Sequence, residues 1–139
     1  MNNSITLLVI DDDLTDAKLI KYALADLNVS CGFAHFTSYR EMLEYLRNQN
    51  CSDPCVILAD LNTPEMNGFE FLKIIKDDRM LKRIPIIILS GSSAQENITQ
   101  SFDLGAVGYI IKPIDYEDLK KMLGIVHKYW TVNKLPAFS

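Results

Sequence analysis

Short runs of apolar residues alternate along this chain with longer segments in which apolar residues recur every three or four positions. Short continuous apolar runs are typical of strands that are buried on both faces, and the wider spacing is typical of amphipathic helices. The pattern predicts five strands, at 5–10, 30–36, 55–60, 85–90 and 107–111. It predicts five helices that follow these strands, at 14–27, 38–48, 68–78, 94–104 and 115–130.

The regular alternation of strand and helix predicts an α/β fold, with a parallel sheet covered by helices on both faces. Five such units in 139 residues fit an open doubly wound sheet better than an eight-stranded barrel. Because no linker or repeat interrupts the pattern, we predict one domain over 1–139, with a core at about 5–130 and a tail at 131–139. The fourth helix carries only a thin apolar stripe, namely Ala94, Ile98 and Phe102.

Composition and charge exclude several classes of function. The net charge is −4 and no basic stripe is present, which argues against a nucleic-acid-binding protein. The first residues lack a positive region and the first apolar run ends at Asp11, so the sequence predicts neither a signal peptide nor a membrane span. The three cysteines, an odd number, are expected to be reduced thiols, and the cytoplasm is the expected location.

The candidate chemistry lies where the predicted strands end. Asp11 and Asp12 follow the first strand, Asp60 ends the third, Ser90 ends the fourth and Lys112 follows the fifth. Ligands of open parallel sheets bind at the carboxyl ends of the strands, so these side chains are expected to converge. Clustered carboxylates repel one another unless a cation joins them, and Mg²⁺ prefers such oxygen ligands. One carboxylate is then placed to attack a phosphoryl group, while the lysine binds a phosphate oxygen as a point charge.

Four segments carry a resemblance to a known family. They are Leu-Val-Ile-Asp-Asp-Asp (8–13), Leu-Ala-Asp-Leu-Asn-Thr-Pro-Glu-Met-Asn-Gly (58–68), Ile-Leu-Ser-Gly (88–91) and Gly-Ala-Val-Gly-Tyr-Ile-Ile-Lys-Pro (105–113). In this order, each at the end of a predicted strand, they resemble the receiver domain of two-component response regulators. The resemblance implies a flavodoxin-like fold with strand order 2-1-3-4-5. The segments at 11–20 and 127–136 resemble the subgroup of cyanobacterial phytochrome response regulators.

The resemblance assigns a role to each candidate residue. It implies that Asp60 is the phosphoacceptor and that Lys112 contacts the phosphoryl group. It implies a cis peptide bond before Pro113. It also implies a Mg²⁺ site and a pair of switch residues. The implied metal ligands are Asp11, Asp12, Asp60 and the backbone carbonyl of Asn62, and the switch residues are Ser90 and Tyr109.

The predicted function is that of a stand-alone receiver domain, a signalling switch that catalyses only its own phosphorylation and dephosphorylation. A sensor histidine kinase, of phytochrome type by the resemblance, is the expected donor. The expected output is a change in the face formed by the fourth strand, fourth helix and fifth strand. A downstream effector, a histidine phosphotransfer protein or a second copy of the chain is the expected partner of that face.

Two other functions stay open from the sequence. One is a pseudo-receiver, a binding module that is never phosphorylated, although such domains usually lose site residues that are retained here. The other is a phosphatase of the haloacid dehalogenase type, because Asp60-Leu-Asn-Thr is similar to its nucleophile loop. In that loop, however, a second acid stands where this chain has Asn62, and the loop normally follows the first strand. Outside the cluster, Asp13 is predicted to cap a helix, and His35 and His127 are expected to have no functional role.

Overall fold

A computed structural model describes residues 4–48, 54–61 and 67–136 of the chain. Strands and helices alternate throughout, in the order β1 (Ile5–Ile10), α1 (Leu14–Asp26), β2 (Cys31–Phe36), α2 (Tyr39–Asn48), β3 (Cys55–Asp60), α3 (Gly68–Asp77), β4 (Ile86–Ser90), α4 (Gln95–Asp103), β5 (Gly108–Ile111) and α5 (Tyr116–Val132). The predicted elements are therefore confirmed in kind and order, with ends that move by one or two residues. A single 3₁₀ turn at Leu81–Arg83, which precedes β4, was not predicted, because three residues are too few to show a periodic pattern.

The five strands form one parallel sheet in the order β2-β1-β3-β4-β5. This order confirms the predicted flavodoxin-like fold and places β1 and β3 next to each other at the centre, with Leu8 opposite Ile57. Five of the six residues are buried in each of these two strands. At the edge, by contrast, none of the four residues of β5 is buried.

Apolar side chains of the sheet point alternately to two separate cores, because successive residues of a strand face opposite sides. Leu8 and Ile10 of β1 join the core that is covered by α2 and α3. Leu7 and Val9 join the core that is covered by α1 and α5. The predicted inward stripe of α2 is confirmed, since its four members are all buried: Tyr39, Met42, Leu43 and Leu46.

Side-chain caps fix where several helices begin. Asp13 caps α1, as predicted, and its carboxylate accepts hydrogen bonds from the backbone N–H groups of Thr15 (2.8 Å) and Asp16 (3.4 Å). The side chain of Asn67 accepts from the Glu70 N–H at the start of α3, at 3.0 Å. These bonds satisfy donors that have no partner within the helix itself. The first turns of α1 and α3 are thereby fixed next to the ends of β1 and β3.

Helix α4 departs from the predicted packing. Phe102 was expected to face the core, but 49% of its surface is exposed. The buried residue of α4 is Ser101, whose hydroxyl donates to the carbonyl of Asn97 at 2.8 Å. Neighbouring helical residues point about 100° apart, so a rotation of the helix by that angle exchanges one for the other. The smaller side chain lies inward, and this leaves α4 with little apolar area against the sheet.

Two further expectations need correction. Helix α5 continues to Val132, beyond the predicted limit at 130, and Leu135 of the tail packs against the core of α1 and α5. No cis peptide bond occurs within the described residues, so the bond before Pro113 is trans, contrary to the expectation from the family. The trans form is the more stable one for an X–Pro bond, by about 0.5–1 kcal/mol.

None of the helices within the described ranges has both the length and the apolar content that crossing a membrane requires.

Candidate functional site

The predicted site residues meet at one edge of the sheet. Asp11 and Asp12 directly follow β1, and Asp60 is the last residue of β3. Carboxylate oxygens of these three residues all lie within 4.8 Å of one another. The convergence that the strand ends predicted is therefore present. It forms an acidic pocket in which Asp11 is buried, Asp60 is half-buried and Asp12 is exposed.

Lys112 supplies the positive charge of the pocket. Its Nζ lies 3.3 Å from Oδ2 of Asp11 and 3.3 Å from Oδ2 of Asp60. A third carboxylate, that of Asp16, lies 3.4 Å from the same nitrogen. Burial by itself would lower the pKa of Lys112, but the three carboxylates outweigh it and raise that pKa above the ordinary value. The side chain therefore stays an ammonium ion at neutral pH.

Asp11 is the most deeply buried acid of the pocket, with 2% of its surface exposed. Burial raises the pKa of Asp11, and neither the Asp13 N–H at 2.9 Å from its Oδ1 nor Lys112 fully offsets that effect. The ionised form is thus short of stabilising partners, a situation that a bound cation would relieve. His35 lies outside the carboxylate cluster, as expected, but its Nε2 is 2.7 Å from the backbone carbonyl oxygen of Asp11. It therefore contacts the site through the backbone.

Tyr39 lies beneath Asp60 and was not predicted to belong to the site. Its hydroxyl donates a hydrogen bond to the backbone carbonyl of Asp60, and its ring stacks on Phe71 with centroids 4.5 Å apart. Burial, together with the charges of Asp60 and Asp11, raises the pKa of Tyr39 above its usual range, so the group stays a neutral donor. A fully buried tyrosine usually has a hydrogen-bond partner. From the sequence, this rule could have indicated that the Tyr39 hydroxyl has a hydrogen-bond partner, but not that the partner is Asp60.

Gly68 allows the chain to pass close to the site after β3. A Cβ atom at this position would lie 3.2 Å from Cα of Leu61 and 3.3 Å from Oη of Tyr39. The backbone N–H of Gly68 donates to the carbonyl of Leu61 at 2.7 Å. A larger residue would therefore push the start of α3 away from the end of β3.

Ser90 and Tyr109 both contact Ser92, in the loop between β4 and α4. The buried Oγ of Ser90 accepts a hydrogen bond from the Ser92 N–H at 3.1 Å. The hydroxyl of Tyr109 donates to the Ser92 carbonyl at 2.8 Å. The two predicted switch residues are thus connected through one residue of this loop. Asn62, the fourth predicted metal ligand, lies outside the described residues.

The fold and this site define a class of protein, the receiver domains of response regulators. Residues 7–124 match the response regulator receiver domain family, which covers most of the chain. The chain belongs to this family, whose members act as signalling switches in two-component systems.

Individual relatives support the same assignment. The chemotaxis protein CheY-3 of Vibrio cholerae is 30% identical over 123 residues, which are 88% of this chain and 92% of the relative. The phosphorylated cyanobacterial phytochrome response regulator RcpA superposes with a TM-score of 0.84 at 34% identity, covering 94% of this chain and 97% of that one. The Mn²⁺-bound form of response regulator Rcp1 superposes with a TM-score of 0.82 at 28% identity, covering 95% and 99% of the two chains. Cyanobacterial phytochrome response regulators are thus among the close neighbours of this chain.

Proposed function

We propose that the chain accepts a phosphoryl group from a histidine kinase onto the carboxylate of Asp60 and thereby changes its β4–α4–β5 face. One observation carries the proposal: the ammonium of Lys112 lies 3.3 Å from the Asp60 carboxylate, within a pocket of further acids. An acid at a strand end that is paired with one cation has the arrangement that binding and receiving an anionic group requires. The phosphorylated state of RcpA, a structural neighbour, supports the same assignment.

The acidic pocket fits a divalent cation, and we propose Mg²⁺. Asp11, Asp12 and Asp60 offer only oxygen atoms, which are the ligands that hard cations prefer. Asn62 would add its backbone carbonyl, as the family implies. A cation in this pocket offsets the negative charge that collects when a phosphoryl group approaches a carboxylate. The Mn²⁺-bound form of Rcp1 supports a metal site of this kind.

In the proposed transfer, a carboxylate oxygen of Asp60 attacks the phosphorus atom of the kinase phosphohistidine. An O–P bond forms, the P–N bond breaks, and its electron pair remains on the imidazole nitrogen. Lys112 binds one phosphoryl oxygen, for which its raised pKa keeps it charged. The hydroxyl of Ser90 donates to another phosphoryl oxygen.

The switching step follows from the contacts of Ser92. Ser90 now accepts a hydrogen bond from the Ser92 N–H, and Tyr109 donates to the Ser92 carbonyl. A phosphoryl group that draws the Ser90 hydroxyl toward Asp60 therefore disturbs both ends of one peptide segment. Helix α4 begins at Gln95, three residues after Ser92, and has a single buried residue. We propose that this helix and β5 carry the change to the surface.

Exposed apolar residues suggest where partners bind. Ile114 is fully exposed and lines a cavity together with Asp11 and Lys112, and we propose that the kinase contacts it. Phe102, Val107 and Ile111 lie on the α4–β5 face, where an effector, a histidine phosphotransfer protein or a second copy would bind. Apolar residues grouped in this way are typical of interaction surfaces.

Intact-mass spectrometry after incubation with acetyl phosphate tests the proposal. We expect one phosphoryl group per chain with Mg²⁺, and none with EDTA or in Asp60→Asn. The exposed acid Asp77 gives a matched control, because Asp77→Asn removes the same charge away from the pocket and should be labelled like the wild type. Full labelling of Asp60→Asn would refute the assignment of the phosphoacceptor. If the wild type binds neither a phosphoryl group nor beryllofluoride, the chain is a pseudo-receiver instead.

A further inference from the structure

Lys112 has one partner that the receiver chemistry described above does not use. Its ammonium contacts Asp11 and Asp60, which belong to the pocket, and also Asp16, at 3.4 Å. Asp16 lies in the first turn of α1, whereas the other two acids lie at strand ends. It is not among the acids whose oxygens lie within 4.8 Å of one another, so it is outside the proposed metal ligands.

The backbone on both sides of this ion pair is fixed. The N–H of Asp16 is held by the helix cap Asp13, and the N–H of Lys112 donates to the carbonyl of Ser90 at 2.8 Å. The two side chains therefore meet across a gap between α1 and the end of β5. Movement of the lysine toward a phosphoryl group on Asp60 must take place against the attraction of Asp16.

The excess of negative charge around Lys112 also opposes the approach of a phosphoryl group to Asp60. The Lys112 ammonium lies within 3.4 Å of the carboxylates of Asp11, Asp16 and Asp60, and Asp12 adds a fourth carboxylate to the pocket. A bound cation would compensate the three acids of the pocket, but Asp16 would keep its charge close to the path of an anionic donor. At 42% exposure its field is weakened by solvent but not removed.

We propose that Asp16 is a positioning residue that holds the Lys112 ammonium toward α1 and thereby slows the phosphorylation of Asp60 by anionic donors. This inference rests on the proposed function. It assigns Asp16 the role of a restraint on the reaction, since removing its charge frees the lysine for the incoming phosphoryl group and lowers the repulsion of the donor.

The test compares Asp16→Asn with Asp16→Glu and the wild type, at saturating Mg²⁺, by the initial rate of phosphorylation in intact-mass spectra. Acetyl phosphate and phosphoramidate serve as donors, because phosphoramidate carries less negative charge at neutral pH. We expect Asp16→Asn to react about two- to fivefold faster with acetyl phosphate, the range that a partly exposed ion pair supports. The gain should be smaller with phosphoramidate and should shrink as salt is added. Asp16→Glu should stay close to the wild type.

A merely structural role would change both donors alike and would not respond to salt. Asp77→Asn controls for the loss of one negative charge from the protein as a whole, and urea unfolding checks that each variant is folded. If Asp16→Asn does not fold, Asp16→Ser gives the same loss of charge with a smaller side chain. An unchanged or slower rate in a folded variant would refute the inference, as would a gain that is equal with both donors and unchanged by salt. If the wild type itself takes up no phosphoryl group, the proposed function fails first, so the two failures are distinguishable.

Discussion

The acidic ends of β1 and β3 are held in a different way from the face formed by α4 and β5, although both regions belong to the same fold. Five of six residues are buried in each of the two central strands, and both faces of these strands contact a core. In α4 a single residue is buried, and in β5 none is. The carboxylates are thus carried by the most constrained backbone of the fold, while the proposed output face has few anchors.

The difference fits two separate physical requirements. Phosphoryl transfer requires side chains that are held close to one geometry, which a rigid and buried scaffold provides. A switch requires a segment with a second arrangement only a few kcal/mol away, and regions with little buried apolar area meet that condition. Ser92 connects the two regions, because it is bonded both to buried Ser90 and to half-exposed Tyr109.

The largest expected effect comes from comparing a phenylalanine in each region. Phe71 is fully buried beneath the site and stacks on Tyr39, whereas Phe102 of α4 is about half exposed. We expect Phe71→Ala to lower the free energy of unfolding by about 3–5 kcal/mol, because it leaves a cavity in a packed core. Phe102→Ala should change it by only about 0.5 kcal/mol. Urea unfolding measures both, and similar losses would show that α4 is anchored as firmly as the core.

A finer comparison uses two tyrosine hydroxyls that each donate to a backbone carbonyl. Tyr39 donates to Asp60 in the buried region, and Tyr109 donates to Ser92 beside the α4–β5 face. We expect Tyr39→Phe to cost about 1–3 kcal/mol, since the buried carbonyl loses a donor, and to slow phosphorylation by shifting Asp60. Tyr109→Phe should cost about 1 kcal/mol or less and leave the phosphorylation rate unchanged.

Hydrogen exchange distinguishes the two tyrosine variants further. Tyr109→Phe should speed amide exchange in residues 92–104, because it removes a bond that holds the β4–α4 loop. Tyr39→Phe should leave that segment as in the wild type. An increase confined to the loop in both variants would mean that the site and the output face are not separable.

The smallest effect concerns an exposed contact that belongs to neither region. Tyr116 of α5 donates to the carboxylate of Asp26 in α1 at 2.6 Å, and this bond raises the pKa of Tyr116 from 10 to about 12. Because the folded-state pKa is the higher one, the bond stabilises the fold fully below about pH 10 and is lost as the pH rises through 12. Titration of phenolate absorbance in the wild type and in Tyr116→Phe should show one high-pKa tyrosine fewer in the variant. A variant with the same titration curve as the wild type would contradict this.

The sequence alone determined the fold and the core of the site. The strand-helix alternation predicted the parallel sheet, and the acids at its strand ends predicted the meeting of Asp11, Asp12, Asp60 and Lys112. These predictions succeeded because they depend on periodicity and topology. In a parallel sheet all strands end at one edge, whatever the details of packing.

Only the tertiary structure decided which helix residues join that edge. It placed Asp16 beside Lys112 and the Tyr39 hydroxyl beneath Asp60, and it turned Ser101 inward in place of Phe102. Each of these contacts depends on the rotation of a helix about its own axis relative to the sheet. One residue changes that direction by about 100°, and the rotation is set by the fit of many side chains in two cores, which a pattern along one chain does not contain.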